Sequence, residues 1–131
     1  MTRSPTGTAG QARTALVVDD DVDMCRMLEI ALASVGCRAT TATSARGAIA
    51  LLRKRSLPLA FVDARLPDMD GWRLIDELRL IRPTIRIVMI SGYYFEADVR
   101  IVEALQASTI DGFLAKPLRI DAILAATSVA G

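Results

Sequence analysis

The chain has 131 residues, 16 of them basic and 15 acidic, for a net charge of +1, and it is 52% hydrophobic but only 5% aromatic. That length holds one domain with a single core, and the near-neutral balance gives no field to recruit nucleic acid or an acidic membrane surface. With no histidine in the chain, Ser-His-Asp and Cys-His catalysis are excluded, as is a histidine phosphodonor, and Cys25 and Cys37 lack a metal-ligand spacing and read as reduced thiols.

Residues 1–13 are rich in Thr, Gly, Ser and Ala without apolar periodicity, which predicts a flexible tail ahead of a domain spanning 14–131. No signal-peptide core is present, and no segment approaches the roughly 20 apolar residues needed to cross a membrane, so the expected location is cytoplasmic. Thr14 to Val18 reads as a short apolar strand ending in Asp19, Asp20 and Asp21. Met24, Met27, Leu28, Ala31, Leu32 and Val35 then recur at helical spacing, and Gly36 stops that helix. Cys37 to Ala42 alternates weakly as a second strand. Ser44 caps a helix from Ala45 to about Arg55 whose inner face is Ala48, Ile49 and Leu52.

Leu59 to Val62 is continuously apolar, as befits a strand in a parallel sheet covered on both faces, and it ends abruptly in Asp63. Pro67 and Gly71 bracket Asp68, Met69 and Asp70 in a turn that leaves Asp63 at a loop mouth. A helix follows from Gly71 to Ile81, closed by Pro83. Ile85 to Ile90 is a fourth buried strand ending at Ser91-Gly92, and a helix is expected from about Glu96 to Ala107. Ile110 to Ala115 makes a fifth strand ending at Lys116-Pro117, and Ile120 to Val129 a last helix. Five strands each followed by a helix give a parallel sheet with helices on both faces, because parallel neighbours need long crossovers.

Asp19 and Asp20, Asp63, Ser91 and Lys116 thereby fall at one sheet edge, where ligands of open α/β sheets bind. Singly, each has an ordinary explanation: a helix cap, a turn hydroxyl, a solvated amine. Jointly they make a site. Three clustered carboxylates repel by roughly 1 to 4 kcal/mol per pair at 4 Å and invite a hard divalent cation, for which magnesium is the natural occupant. A free carboxylate oxygen of Asp63 is then placed to attack phosphorus. Lys116 supplies a point charge to incoming phosphoryl oxygens and Ser91 a hydroxyl beside a glycine.

Leu16-Val-Val-Asp-Asp, Val62-Asp-Ala-Arg-Leu-Pro-Asp-Met-Asp-Gly, Ile90-Ser-Gly and Phe113-Leu-Ala-Lys-Pro together resemble the response-regulator receiver domain over about Thr14 to Val129. The resemblance implies a flavodoxin-like, doubly wound sheet of strand order 2-1-3-4-5. It implies that Asp63 accepts a phosphoryl group from a sensor histidine kinase or histidine phosphotransfer protein. Asp20, Asp63 and the Arg65 carbonyl would bind Mg2+, with Asp19 acting through water. Ser91 and Lys116 would hold the phosphoryl group, and Ser91 and Phe113 would form the switch. On that basis the chain is no enzyme beyond its own phosphorylation and dephosphorylation, and its partners extend to a downstream effector or fused output domain and to a homodimer. Period-two alternation sets Phe113 on the face opposite Lys116.

Two features depart from the family pattern. The segment between Ser91 and Lys116 is a few residues longer than usual, with Tyr93-Tyr94-Phe95 either tucked onto the core or presented to a partner, and Ser108-Thr109-Ile110 stands where a Gly-Ala turn is common. Two rival readings compete with this one. A haloacid-dehalogenase-like phosphotransferase uses similar parts, but its first-strand Asp-x-Asp-x-Thr/Val order is absent and there is no room for a substrate cap. The other is a non-phosphorylated pseudo-receiver binding module, which the complete set of acidic and basic parts disfavours.

Overall fold

Strand and helix formation follow the hydrophobic pattern closely. A computed structural model describes residues 14–128, so the tail expected over residues 1–13 and the end of the last helix expected at Val129 lie outside the described residues. The elements are β1 (Thr14–Val18), α1 (Val22–Ala33), β2 (Arg38–Ala42), α2 (Ala45–Lys54), β3 (Leu59–Asp63), α3 (Gly71–Ile81), β4 (Arg86–Ser91), α4 (Val99–Gln106), β5 (Gly112–Ala115) and α5 (Ile120–Ser128). All strand pairs are parallel and the sheet order is β2-β1-β3-β4-β5, as expected.

Alternation divides the core into two layers. Leu16, Val18, Ala60, Val62, Ile87 and Met89 pack with the inner faces of α2, α3 and α4. Ala15, Val17, Leu59, Phe61, Val88 and Ile90 pack with α1 and α5 on the opposite side. Both faces of β1, β3 and β4 are therefore dry, which explains their unbroken apolar runs. Each large aliphatic side chain so buried contributes about 1.5 to 3 kcal/mol.

The helix starts are set by side-chain oxygens. Asp21 accepts from the Asp23 and Met24 amides at α1, Ser44 from Gly47 at α2, and Asp70 from Trp72 at α3. The chain leaves α1 through Gly36, whose φ of +77° suits a residue without Cβ. Gly71 answers a different demand, since a Cβ there would lie 2.5 Å from the Asp63 carbonyl oxygen and 2.7 Å from Ala64 Cα. Only glycine lets α3 begin so close to the end of β3.

Two starts differ from the sequence expectation by two residues or more. Helix α4 begins at Val99 rather than near Glu96, because Asp98 is extended and turns its carboxylate back to the Phe95 amide (2.8 Å) instead of capping α4. Strand β5 begins at Gly112 rather than Ile110. Ile110 donates to the Ala104 carbonyl at the end of α4, and the Asp111 carboxylate receives the Ile87 amide and Arg79. Arg79, from α3, also donates to the carbonyls of Ile85, Ser108 and Thr109, so one guanidinium binds the entry to β4 and the turn between α4 and β5.

Candidate functional site

In strand order 2-1-3-4-5 the connection from β1 runs to one side and that from β3 to the other, and a crevice opens at the carboxyl ends of β1 and β3. The sequence places acids there. Asp19 follows β1, is fully buried, and has its backbone amide on the Ala42 carbonyl and its Oδ1 on the Asp21 amide (2.9 Å). Asp20, next in the chain, is exposed. Asp63 ends β3, almost wholly buried, with Oδ1 accepting the Arg65 amide at 3.2 Å.

Lys116 joins the two buried acids. Its Nζ lies 3.0 Å from Asp19 Oδ2 and 3.4 Å from Asp63 Oδ2, and its backbone amide is held by the Ser91 carbonyl, the Lys116–Pro117 peptide being cis. The Asp19 contact is an ion pair out of line for a hydrogen bond, so Asp19 Oδ2 is a buried oxygen with hydrogen-bonding capacity to spare. Burial pushes the Asp63 carboxyl up to about 6, with the Asp19 charge adding to the effect and the Arg65 amide and Lys116 opposing it. Burial alone would lower the Lys116 ammonium, but its contacts with Asp19 and Asp63 raise it, and it stays charged.

Asp19, Asp20 and Asp63 each offer a carboxylate oxygen within 4.8 Å of the others. Three carboxylates against one ammonium leave two net negative charges, and with Asp19 Oδ2 met only by that ammonium this donor set suits a hard divalent cation. An open cavity of about 390 Å³ lies over the cluster, lined by Asp20, Asp63, Arg65, Ser91, Tyr93 and Lys116. Every residue expected at the sheet edge is thus gathered at one mouth. Phe113 stands apart, half-buried against the α2–α4 layer, while Leu114 packs on the α1–α5 side, as alternation requires.

Ser91 is the last residue of β4 rather than the first beyond it, and its hydroxyl oxygen is turned to its own loop, accepting the amides of Tyr93 and Tyr94 at 2.8 Å each. Of Tyr93-Tyr94-Phe95, only Tyr94 follows the tucked reading. Tyr94 tucks onto the core layer, Tyr93 lies half-open under the Arg65 guanidinium (3.7 Å to the ring centroid), and Phe95 is 70% exposed. Sequence reasoning missed Asp68, whose two carboxylate oxygens receive the Ala45 and Arg46 amides at the start of α2 and whose carboxyl is held below its ordinary value by those bonds. Nothing local signals a partner 23 residues away. It also missed the pairing of Trp72 with Tyr94, for which the only clue was an aromatic cluster in an otherwise aromatic-poor chain.

Comparison with known proteins agrees with this geometry. The family model described as "Response regulator receiver domain" matches residues 15–128. The transcriptional regulatory protein ZraR of Salmonella typhimurium is 36% identical over 106 residues, 81% of this chain and 23% of the relative. AlgB, the alginate biosynthesis transcriptional regulatory protein of Pseudomonas aeruginosa, is 33% identical over the same shares. The chain therefore spans about a quarter of the length of these curated relatives. Among solved structures, the receiver domain of NtrX from Brucella abortus is 31% identical with a TM-score of 0.77, covering 88% of this chain and 96% of that one. A response regulator from Burkholderia pseudomallei, solved with a phosphorylated aspartic acid, calcium ion and citrate, is 29% identical with a TM-score of 0.75, covering 88% of this chain and 66% of that one. The dehalogenase-type reading is not favoured by these likenesses. With its strand order, its strand-end acids and a family model spanning nearly all the described residues, the chain belongs to the response-regulator receiver domains of two-component signalling.

Proposed function

We propose that Asp63 is the phosphoryl acceptor of this receiver domain. The observation that carries the proposal is its position: Asp63 is the acid that ends the central buried strand and opens onto the cavity, with Lys116 already 3.4 Å from one of its oxygens. In the transfer, a carboxylate oxygen of Asp63 forms a bond to phosphorus while the bond from phosphorus to the imidazole nitrogen of the donor breaks. The bonding pair stays on that nitrogen, which then takes up a proton. The donor is the phosphohistidine of a sensor kinase or phosphotransfer protein, since this chain has no histidine.

Lys116 turns from the pair of carboxylates to the charge on the transferred group, staying tethered through Asp19. The Arg65 amide orients the Asp63 carboxylate, and Ser91 offers its hydroxyl once its oxygen gives up the loop amides. Asp20, Asp63 and the Arg65 carbonyl would hold Mg2+, with Asp19 acting through water. A divalent ion held there would supply positive charge to offset the carboxylates and the transferred group. Asp21 and Asp23 serve α1 instead. No reaction beyond this self-phosphorylation and its hydrolysis is assigned. Signal passes to an effector or attached output domain, with Phe113 and Ser91 as switch residues and a second copy of the domain as one further partner. The location proposed is the cytoplasm; none of the described helices is long and apolar enough to cross a membrane.

Incubation with a small acyl phosphate and magnesium tests the assignment by intact mass. One phosphoryl adduct is expected in the wild type, retained in Asp70→Asn, and lost in Asp63→Asn or on addition of a chelator. A wild type that stays unmodified overturns it.

A further inference from the structure

Five side chains form a continuous stack that runs from the cavity mouth to helix α4. The Arg65 guanidinium lies over the Tyr93 ring at 3.7 Å, and Tyr93 meets Tyr94 edge to face at 5.0 Å. Tyr94 meets Trp72 edge to face at 5.9 Å and takes the indole N–H on its hydroxyl oxygen at 3.2 Å. Arg100, in the first turn of α4, lies over the Trp72 ring at 4.5 Å. The stack thus links four places: the loop after β3, the loop after β4, the start of α3 and the start of α4.

We propose that the Tyr94–Trp72 contact is a latch between the loop after β4 and helix α3, opened when Asp63 is phosphorylated, and that it carries the signal to the N-terminal end of α4 without passing through Phe113. The proposal rests on the assignment of Asp63 as acceptor. Two links in the stack are exposed to the new charge. Arg65 lines the same cavity as Asp63, and a cation held over an exposed ring is bound more weakly than one bonded to a phosphoryl oxygen. Ser91 accepts both the Tyr93 and the Tyr94 amides, so drawing its hydroxyl to the phosphoryl group dislodges the backbone that carries both rings. Tyr93 loses its cation and Tyr94 its anchor in one event. The Tyr94 hydroxyl then leaves the indole N–H, Trp72 gains water, and Arg100 loses the face it covered.

Phe113 takes no part, since its half-buried ring rests on the core layer and shares no ring contact with the stack. A signal travelling by the stack therefore needs Ser91 and Tyr94, whereas one travelling by strand β5 needs Ser91 and Phe113.

Trp72, the sole tryptophan, reports the latch directly. The full chain is treated with acyl phosphate and magnesium, the adduct counted by intact mass, and Trp72 emission recorded on the same sample. Expected on phosphorylation are a red shift in wild type, little further shift in Ser91→Ala, which emits to the red already because both loop amides have lost their acceptor, and a shift retained in Phe113→Ala. Unmodified Tyr94→Phe, lacking only the hydroxyl, is expected to emit to the red of wild type already, and phosphorylation to add little. Absence of the adduct defeats the assignment of Asp63 and removes the trigger, and it is read by mass alone. An adduct with Trp72 emission unmoved, a full shift in Ser91→Ala, a shift lost in Phe113→Ala, or an unmodified Tyr94→Phe indistinguishable from wild type overturns the latch.

Discussion

The loop after β3 and the loop after β4 cross the same cavity from adjacent buried strands, yet they are attached by different means. The first is fastened to the rest of the fold by backbone and carboxylate: Gly71 donates to the Ala64 carbonyl, Arg65 and Asp70 form an isolated bridge, and Asp68 seizes two amides of α2. The second has such bonds only at its far end, between Phe95 and Asp98; ahead of them it is held by one hydroxyl and a set of ring contacts, with the Phe95 ring left in solvent. Backbone bonds in crowded surroundings admit one arrangement. Ring edges and an exposed cation over a ring exchange partners at little cost. A reactive carboxylate belongs on the first kind of loop and a responding segment on the second.

The contrast is most directly broken at Gly71. In Gly71→Ala the added carbon meets two backbone groups that cannot yield, and a loss of about 3 kcal/mol is expected in urea unfolding, with phosphorylation of Asp63 impaired. Next comes Asp63 itself. Its folded carboxyl, pushed up to about 6, holds a proton more tightly than the unfolded chain does, so its contribution is full below the ordinary carboxylate range and is lost as pH rises through about 6. Without divalent metal, wild-type stability should fall between about pH 4 and 7 by on the order of 2 to 3 kcal/mol, a slope that Asp63→Asn lacks. Ser91→Ala is expected to cost about 1 kcal/mol, as two loop amides lose their acceptor, and to speed hydrogen exchange at Tyr93 and Tyr94 while leaving the loop after β3 protected. The smallest effect is expected for Asp68→Asn, which keeps one acceptor oxygen. Its melting temperature should lie slightly below wild type at neutral pH, with the difference closing as acid protonates Asp68 in the wild type.

Legibility in the sequence follows the same line. Strands β1, β3 and β4 announce themselves as apolar runs because both of their faces are dry, and Asp19, Asp63 and Lys116 could be located because each directly follows or ends a strand. Glu96-Ala97-Asp98 looks like an acidic helix start, but the Asp98 carboxylate is engaged by the Phe95 amide, a choice that depends on where Phe95 has been carried by the rings before it. The partners of Asp68, Tyr94 and Arg79 lie 22 to 32 residues away, or in two places at once, and no local spacing encodes them. What the sequence leaves hidden is mostly what joins one loop to another.

Arg79 gives helix α4 a fulcrum. The guanidinium grips the turn just beyond the helix's C-terminal end through the Ser108 and Thr109 carbonyls and Asp111, whereas the other end rests on Trp72 through Arg100 alone among the stacked contacts. With eight residues, α4 is about 12 Å long. Ile101 is buried in the core layer near the Arg100 end, so the rod pivots about the clamped end only as far as that packing yields. A displacement of an ångström or two at Arg100 becomes a tilt of several degrees, and Val99 and Val102, which face solvent near the free end, sweep the widest arc.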